Sequence, residues 1–92
     1  MIETTNTNRP LHNIIMENRE KISMSGIKKV DNFDDQTIIL LTEMGELTIK
    51  GENLHISKMD VDTGDLKVTG KIYGLIYNET QRGSSIFKRL IK

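Results

Sequence analysis

The sequence of 92 residues contains no cysteine and no tryptophan, a single proline, and no excess of either charge. Without cysteine, the chain can form neither a disulfide framework nor a thiolate metal site. Thirteen basic and thirteen acidic side chains give a formal net charge of zero. Nucleic-acid binders usually carry a basic excess, because the release of counterions from the phosphates drives their affinity. The composition therefore predicts no nucleic-acid partner, and zero net charge does little to keep copies of the protein apart.

The sequence also lacks any hydrophobic run near the roughly 20 residues that a membrane-spanning helix needs. Residues 1–10 have no basic start followed by an apolar segment, so we expect no signal peptide. A chain of this length forms one small domain and buries about 60–65% of the surface that its unfolded form exposes. We therefore expect modest stability, or stability completed by self-association.

Alternation of apolar and polar side chains dominates the sequence from Glu20 to Tyr77. A period of two is typical of half-buried β-strands. The pattern predicts a mainly β fold: a small antiparallel sheet, sandwich or roll-like, with a short C-terminal amphipathic helix. We assign residues 1–12 to a flexible N-terminal lead, residues 13–80 to the β domain and residues 81–92 to a C-terminal amphipathic segment.

One short repeat suggests an alternative fold. Gly45–Gly51 matches Gly64–Gly70 in residue type at nearly every position, and Ile22–Gly26 is a shorter third copy. Repetition of this kind can mark a β-solenoid, so a self-polymerising scaffold of the bactofilin type is an alternative. The apolar residues that share one phase should form one core. They are Leu47, Ile49, Leu66, Val68 and Ile72, and Ile76 continues the phase.

The opposite phase of the last long strand carries Tyr73, Leu75 and Tyr77. On a sheet of one layer these side chains would face water beside Lys71. Aromatic and aliphatic side chains exposed together mark protein interfaces. The row therefore predicts an interface, with a second copy of the chain as one partner. The alternative is that a second layer of the domain covers the row.

The C-terminal segment carries another apolar set at helical spacing, opposite three basic side chains. The set consists of Ile86, Phe87, Leu90 and Ile91. A helix of about two turns is marginal alone in water, so we predict that this segment docks on protein. It packs on the domain's own core, binds the groove of a partner, or makes peripheral contact with an anionic membrane surface.

The sequence offers little material for a catalytic or metal site. His55 lies between two apolar residues, hence on the solvent face of its strand, and His12 borders the N-terminal lead. Asp60–Asp65 resembles the start of a calcium loop, but such a loop needs glycine at its sixth position and glutamate at its twelfth. Those positions hold Asp65 and Lys71. We predict a non-enzymatic protein without catalytic residues, cofactor or metal. A small-ligand binder or an enzyme is the weaker alternative.

Three stretches of the chain resemble one known family. Residues 22–30 look like its opening strand and turn, Thr42–Ile56 is similar to its central hairpin, and Leu66–Ile72 resembles its last strand. The resemblance covers residues 20–78 and is to the YabP/YqfC family of endospore-forming bacteria.

This resemblance implies a role in sporulation, in the cytoplasm of the mother cell or peripherally at the forespore membrane. It implies a membrane protein encoded nearby, YabQ, or other spore envelope proteins as candidate partners. It brings no catalytic residues to transfer onto this chain. Together with the apolar row and the C-terminal segment, it predicts a protein-binding or assembly factor in spore envelope formation.

Overall fold

The computed structural model describes residues 10–78 of the chain. Six strands occupy this range: β1 Asn13–Glu17, β2 Lys21–Ser25, β3 Ile27–Phe33, β4 Thr37–Thr42, β5 Gly45–Asp60 and β6 Asp65–Asn78. They form one antiparallel sheet in the order β1-β2-β6-β5-β4-β3. This sheet confirms the predicted mainly β fold. The helix predicted within residues 81–92 lies outside the described residues.

The β-solenoid alternative is wrong. In a solenoid, consecutive repeats stack on one another. Here Glu46–Gly51 of β5 pairs with Ile72–Asn78 of β6, and not with the matching copy Gly64–Gly70. The two copies lie at opposite ends of antiparallel neighbours. They look alike because both begin and end at glycine and both alternate buried with more exposed side chains.

The sheet is folded over near the middle of β5 and β6. A straight strand of 16 residues would span roughly 50 Å. The segments next to the two ends of β5 nevertheless both form hydrogen bonds with the dipeptide Gly26–Ile27. The N–H of Glu43, just before β5, donates to the carbonyl of Gly26 at 2.9 Å. The N–H of Ile27 donates at 3.0 Å to the carbonyl of Gly64, just after β5. The two ends of the β5–β6 hairpin must therefore approach each other.

Irregular pairing between β5 and β6 accompanies this bend. The register shifts at three places, the middle one between Glu52 and His55. There Asn53 has a φ of 54°, and a β-carbon at Gly70 would overlap the backbone of Asn53. Such irregularities bend a strand and increase its twist. We call the part of the sheet in which β5 pairs with β4 the β4 half, and the part in which β6 pairs with β2 the β2 half.

Both halves of the sheet contribute to one hydrophobic core. Among the described residues, the cluster of buried apolar side chains consists of Ile22, Met24, Ile27, Ile38, Leu40, Leu47, Ile49, Leu54, Leu66, Val68 and Ile72. It includes all five residues predicted from the repeats, which confirms that prediction. Full burial of one such side chain is worth about 1.5–3 kcal/mol. The placement of Ile76 in the same phase is wrong, because its side chain is 48% exposed.

Candidate interaction surface

A bulge at Tyr73 decides which side chains of β6 face the core. Gly51 is paired with Ile72, and the preceding residue Lys50 is paired with Gly74. Tyr73 is therefore one extra residue on β6 at this point. Because side chains alternate between the two faces of a strand, one extra residue reverses the faces of all those that follow.

The reversal separates the three residues that were predicted to share a surface. Leu75 is paired with the buried Ile49, and Tyr77 with the buried Leu47. Residues directly opposite in an antiparallel pair share a face, so Leu75 and Tyr77 lie on the core side. Leu75 is half-buried and packs against the core cluster. Tyr73 lies before the change of phase and remains on the outer side, so the three do not form one exposed row.

Tyr77 is held by the residue that precedes β1. Its hydroxyl donates to Nε2 of His12 at 2.6 Å, and Nδ1 of His12 donates to the carbonyl of Ser25 at 2.8 Å. This assignment places the ring proton on Nδ1, because a carbonyl oxygen only accepts. The two rings meet edge to face with centroids 5.7 Å apart. Burial raises the pKa of the Tyr77 phenol.

Tyr73 is anchored on the outer side of the sheet. Its hydroxyl donates to Oε1 of Glu52 at 2.6 Å, and that hydrogen bond is the main reason why the pKa of Tyr73 is raised. The ring itself is 55% exposed. The carboxylate fixes one end of the side chain and leaves its apolar surface open to solvent.

Tyr73 belongs to a larger apolar surface on the outer side of the β4 half. We call this surface the outer patch; it consists of Ile39, Leu41, Tyr73 and Ile76. Ile39, Thr48 and Ile76 lie directly across three neighbouring strands. Ile39 and Leu41 are half-buried, and a β-carbon at Gly74 would meet open space. The exposed side chains of Tyr73 and Ile76 thus lie on either side of Gly74, where another surface can approach the backbone.

Charged side chains of both signs surround the outer patch. Glu46 lies in the row of Leu41, Lys50 is paired with Gly74, and Glu52 is paired with Lys71. An apolar centre containing an aromatic ring, bordered by charged groups, is the usual composition of a protein–protein interface. The mixed signs give no electrostatic preference for an anionic or a cationic surface.

The remaining predicted site residues lie elsewhere. The four apolar residues of the C-terminal segment, Ile86, Phe87, Leu90 and Ile91, are outside the described residues. His55 is exposed and paired with Thr69. The Asp60 carboxylate accepts the N–H groups of Asp62 and Thr63 and so shapes the turn between β5 and β6. Within residues 10–78 there is no cluster of three or more His, Asp or Glu that could hold a metal ion.

Two members of the outer patch were missed from the sequence for a physical reason. Ile38–Leu41 is a continuous apolar run, which predicts a strand buried on both faces. The structure buries Ile38 and Leu40 and leaves Ile39 and Leu41 half-exposed. No local signal distinguishes these cases, because exposure depends on whether a second layer covers the outer face. Among the described residues there is also no helix long and apolar enough to cross a membrane.

Comparison with known proteins gives two matches. The model of the YabP family matches residues 8–84, a range that contains all six strands. Spore protein YabP of Bacillus subtilis (strain 168) is 33% identical over 84 residues, which cover 88% of this chain and 84% of that protein.

Proposed function

Because this chain belongs to the YabP family, we propose that it is a non-enzymatic protein-binding or assembly factor in the formation of the spore envelope. The outer patch is the observation that carries this proposal. Tyr73 and Ile76 keep about half of their surface in water, although both lie on a sheet whose other face holds a well-filled core. Burying this surface against a partner would remove apolar area from water at about 25 cal/mol per Å².

The geometry suits recognition of a protein better than recognition of a small molecule. Small-ligand sites are concave and enclose most of the ligand, whereas the outer patch lies on the face of a sheet. Tyrosine is among the residues that dominate binding energy at protein interfaces. The hydrogen bond to Glu52 also limits the side-chain freedom that Tyr73 would lose on binding.

We propose that this activity takes place in the mother-cell cytoplasm, either away from membranes or peripherally at the forespore membrane. The candidate partners are the membrane protein YabQ and other proteins of the spore envelope. The proposal requires only one accessible face of the β4 half, so a peripheral membrane position and a protein partner are compatible.

The test is a substitution that charges the patch without touching the core. Ile76→Lys places an ammonium at the centre of the outer patch. His55→Lys is the matched control, because it adds a lysine at an exposed strand position of the β2 half. Each variant replaces the normal chain in sporulating cells. One measurement is the recovery of proteins crosslinked to the variant, and the other is the number of spores that survive heating.

We expect Ile76→Lys to lose its crosslinked proteins and to lower the yield of heat-resistant spores, while its thermal unfolding stays close to that of the unmodified chain. His55→Lys should keep both. Normal partners and normal spores from a folded Ile76→Lys variant would refute the role of the outer patch.

A further inference from the structure

The two edges of the sheet differ in how they are protected. An unpaired edge strand is a template for pairing with another chain, and proteins block such edges with charges and bulges. β3 has both devices. Lys28 and Asp31 are extra residues that interrupt its register with β4, and Lys29 adds a further charge. This edge is therefore unsuited to pairing with a flat strand.

β1 has no bulge and carries a charge only at its last residue, Glu17. All five of its residues pair with β2 in unbroken register, from Asn13 with Ser25 to Glu17 with Lys21. Its first four residues, Asn13 to Met16, are uncharged, and Ile15 is 55% exposed. Among residues 10–78, no strand pairs with the other edge of β1. This edge is thus short and regular, with three apolar residues at its centre and no charge before its last residue.

We propose that β1 pairs with β1 of a second copy of this chain, antiparallel, about a two-fold axis at Ile15. This interface joins two six-stranded sheets into one. It goes beyond the proposed function, because it lies on the β2 half and leaves the outer patch of the β4 half accessible. Its occupant is a second copy because the strand is complementary to itself in this register.

The complementarity can be followed pair by pair. Ile15 lies opposite Ile15 of the other copy, and Ile14 lies opposite Met16. Ile14 and Met16 are also paired with the buried Met24 and Ile22, so they belong to the core side. Directly opposite apolar side chains stabilise an antiparallel pair. The dimer would therefore bring together the margins of two cores and cover side chains that one copy leaves exposed.

Charge is compatible with this register and disfavours the one whose axis lies at Glu17. With the axis at Ile15, each Glu17 lies opposite Asn13, whose amide can donate to the carboxylate. The two glutamates are then four positions apart along the strand, or roughly 13 Å. An axis displaced to Glu17 would place the two carboxylates directly opposite each other, which is destabilising. Zero net charge on the chain adds no long-range repulsion between copies.

Five residues give a small interface, and small interfaces are weak and transient. We therefore expect a dimer that forms as the concentration rises, and its mass should be followed by sedimentation velocity over a wide concentration range. Ile15→Lys should keep the chain monomeric, because two ammonium groups would meet at the axis. Ile76→Lys is the matched control, with the same change at a similarly exposed isoleucine, and should dimerise normally.

A second measurement works even if Ile15→Lys does not fold. The chain has no cysteine, so Ile15→Cys introduces a single thiol. Opposite β-carbons in an antiparallel pair are about 4.5–5.5 Å apart, close enough for a disulfide after small adjustments. Under mild oxidation Ile15→Cys should form a covalent dimer much faster than Lys28→Cys. The second variant places the thiol on β3, the edge strand that is protected by charges and bulges.

The two proposals fail separately. Loss of dimer in Ile15→Lys with retained envelope partners supports the β1 interface alone, and loss of partners in Ile76→Lys with retained dimer supports the outer patch alone. A chain that stays monomeric at the highest concentration, a dimer that survives Ile15→Lys, or equal crosslinking of Ile15→Cys and Lys28→Cys would overturn the β1 interface.

Discussion

Gly51 lies directly against the carbonyl of Lys71, so closely that a β-carbon at position 51 would overlap the oxygen. The contact occurs where the β5–β6 hairpin starts to bend, one residue after the register shift that creates the bulge at Tyr73. The φ angle of Gly51 is not among the positive ones, so glycine is required here by space and not by backbone conformation.

Gly51→Ala should therefore destabilise the fold by about 1–3 kcal/mol, the usual cost of forcing extra atoms into a packed site. The neighbour that must move is backbone, which cannot rotate away as a side chain would. Gly74→Ala is the matched control, because its β-carbon would meet nothing within 4 Å. It should change stability by less than about 0.5 kcal/mol. Urea unfolding of both variants measures the difference, and equal midpoints would contradict the close contact.

Leu66→Ala and Ile76→Ala test which face of β6 is buried. Leu66 is fully buried, and truncating a buried leucine costs about 2–5 kcal/mol. Ile76 is about half-exposed, so its truncation should cost less than about 1 kcal/mol. If the two costs in urea unfolding were equal, Ile76 would belong to the core and the outer patch would not exist.

The sequence contained enough information for the core and for the β class. Alternation along β5 and β6 placed Leu47 and Ile49 on one face, together with Leu66 and Val68, because residues of one strand face are two apart. The fold-over could not be predicted in this way. It depends on contacts between residues far apart in the chain, such as Gly26 with Glu43 and Ile27 with Gly64.

The outer patch was predictable only in part. Tyr73 lies on the outer face, as alternation predicts for a sheet of one layer. The sequence gives no sign, however, that β6 gains a residue relative to β5 at that point. The bulge follows from pairing Lys50 with Gly74 and Gly51 with Ile72, which is a property of two strands together. Without the bulge, strict alternation along β6 would place Ile76 on the core face and Leu75 on the solvent face. The structure shows the reverse.

Asp34 should titrate below the ordinary range of an aspartate. Its carboxylate accepts the N–H groups of Gln36 and Thr37 at 2.8 and 2.9 Å, and these bonds lower its pKa, with a smaller effect from Lys50. Because the pKa is lower in the folded chain, the stabilisation is complete above the unfolded pKa of about 3.9. It is lost as the pH falls through the folded value.

The carboxyl carbon of Asp34 in an NMR titration gives the measurement. Its midpoint should lie below that of the same residue in urea, and Lys50→Gln should leave most of the difference in place. Asp34→Asn keeps an oxygen that can accept both N–H groups, so the turn should persist while this acid-dependent loss disappears. A midpoint equal to that of the unfolded chain would show that the two hydrogen bonds do not form in solution.

Tyr73 and Tyr77 are the two tyrosines of the chain, and the pKa of each is raised, for different reasons. For Tyr73 the main cause is the hydrogen bond to Glu52, and for Tyr77 it is burial. A raised folded pKa means that the folded chain holds these protons more tightly than the unfolded chain. Their stabilisation is therefore complete below the unfolded pKa of about 10 and is lost as the pH rises through the folded values.

An alkaline titration followed by tyrosinate absorbance separates the two causes, because the chain has no tryptophan. The folded chain should ionise at higher pH than the chain in guanidinium chloride. Glu52→Gln replaces the charged acceptor by a neutral one, so it should lower the pKa of Tyr73 alone, and Tyr77→Phe in the same background identifies which step moved. An unchanged titration in Glu52→Gln would mean that Tyr73 is not held by Glu52. Its ring would then be free to leave the outer patch, which would remove one of the two exposed side chains on which the proposed function depends.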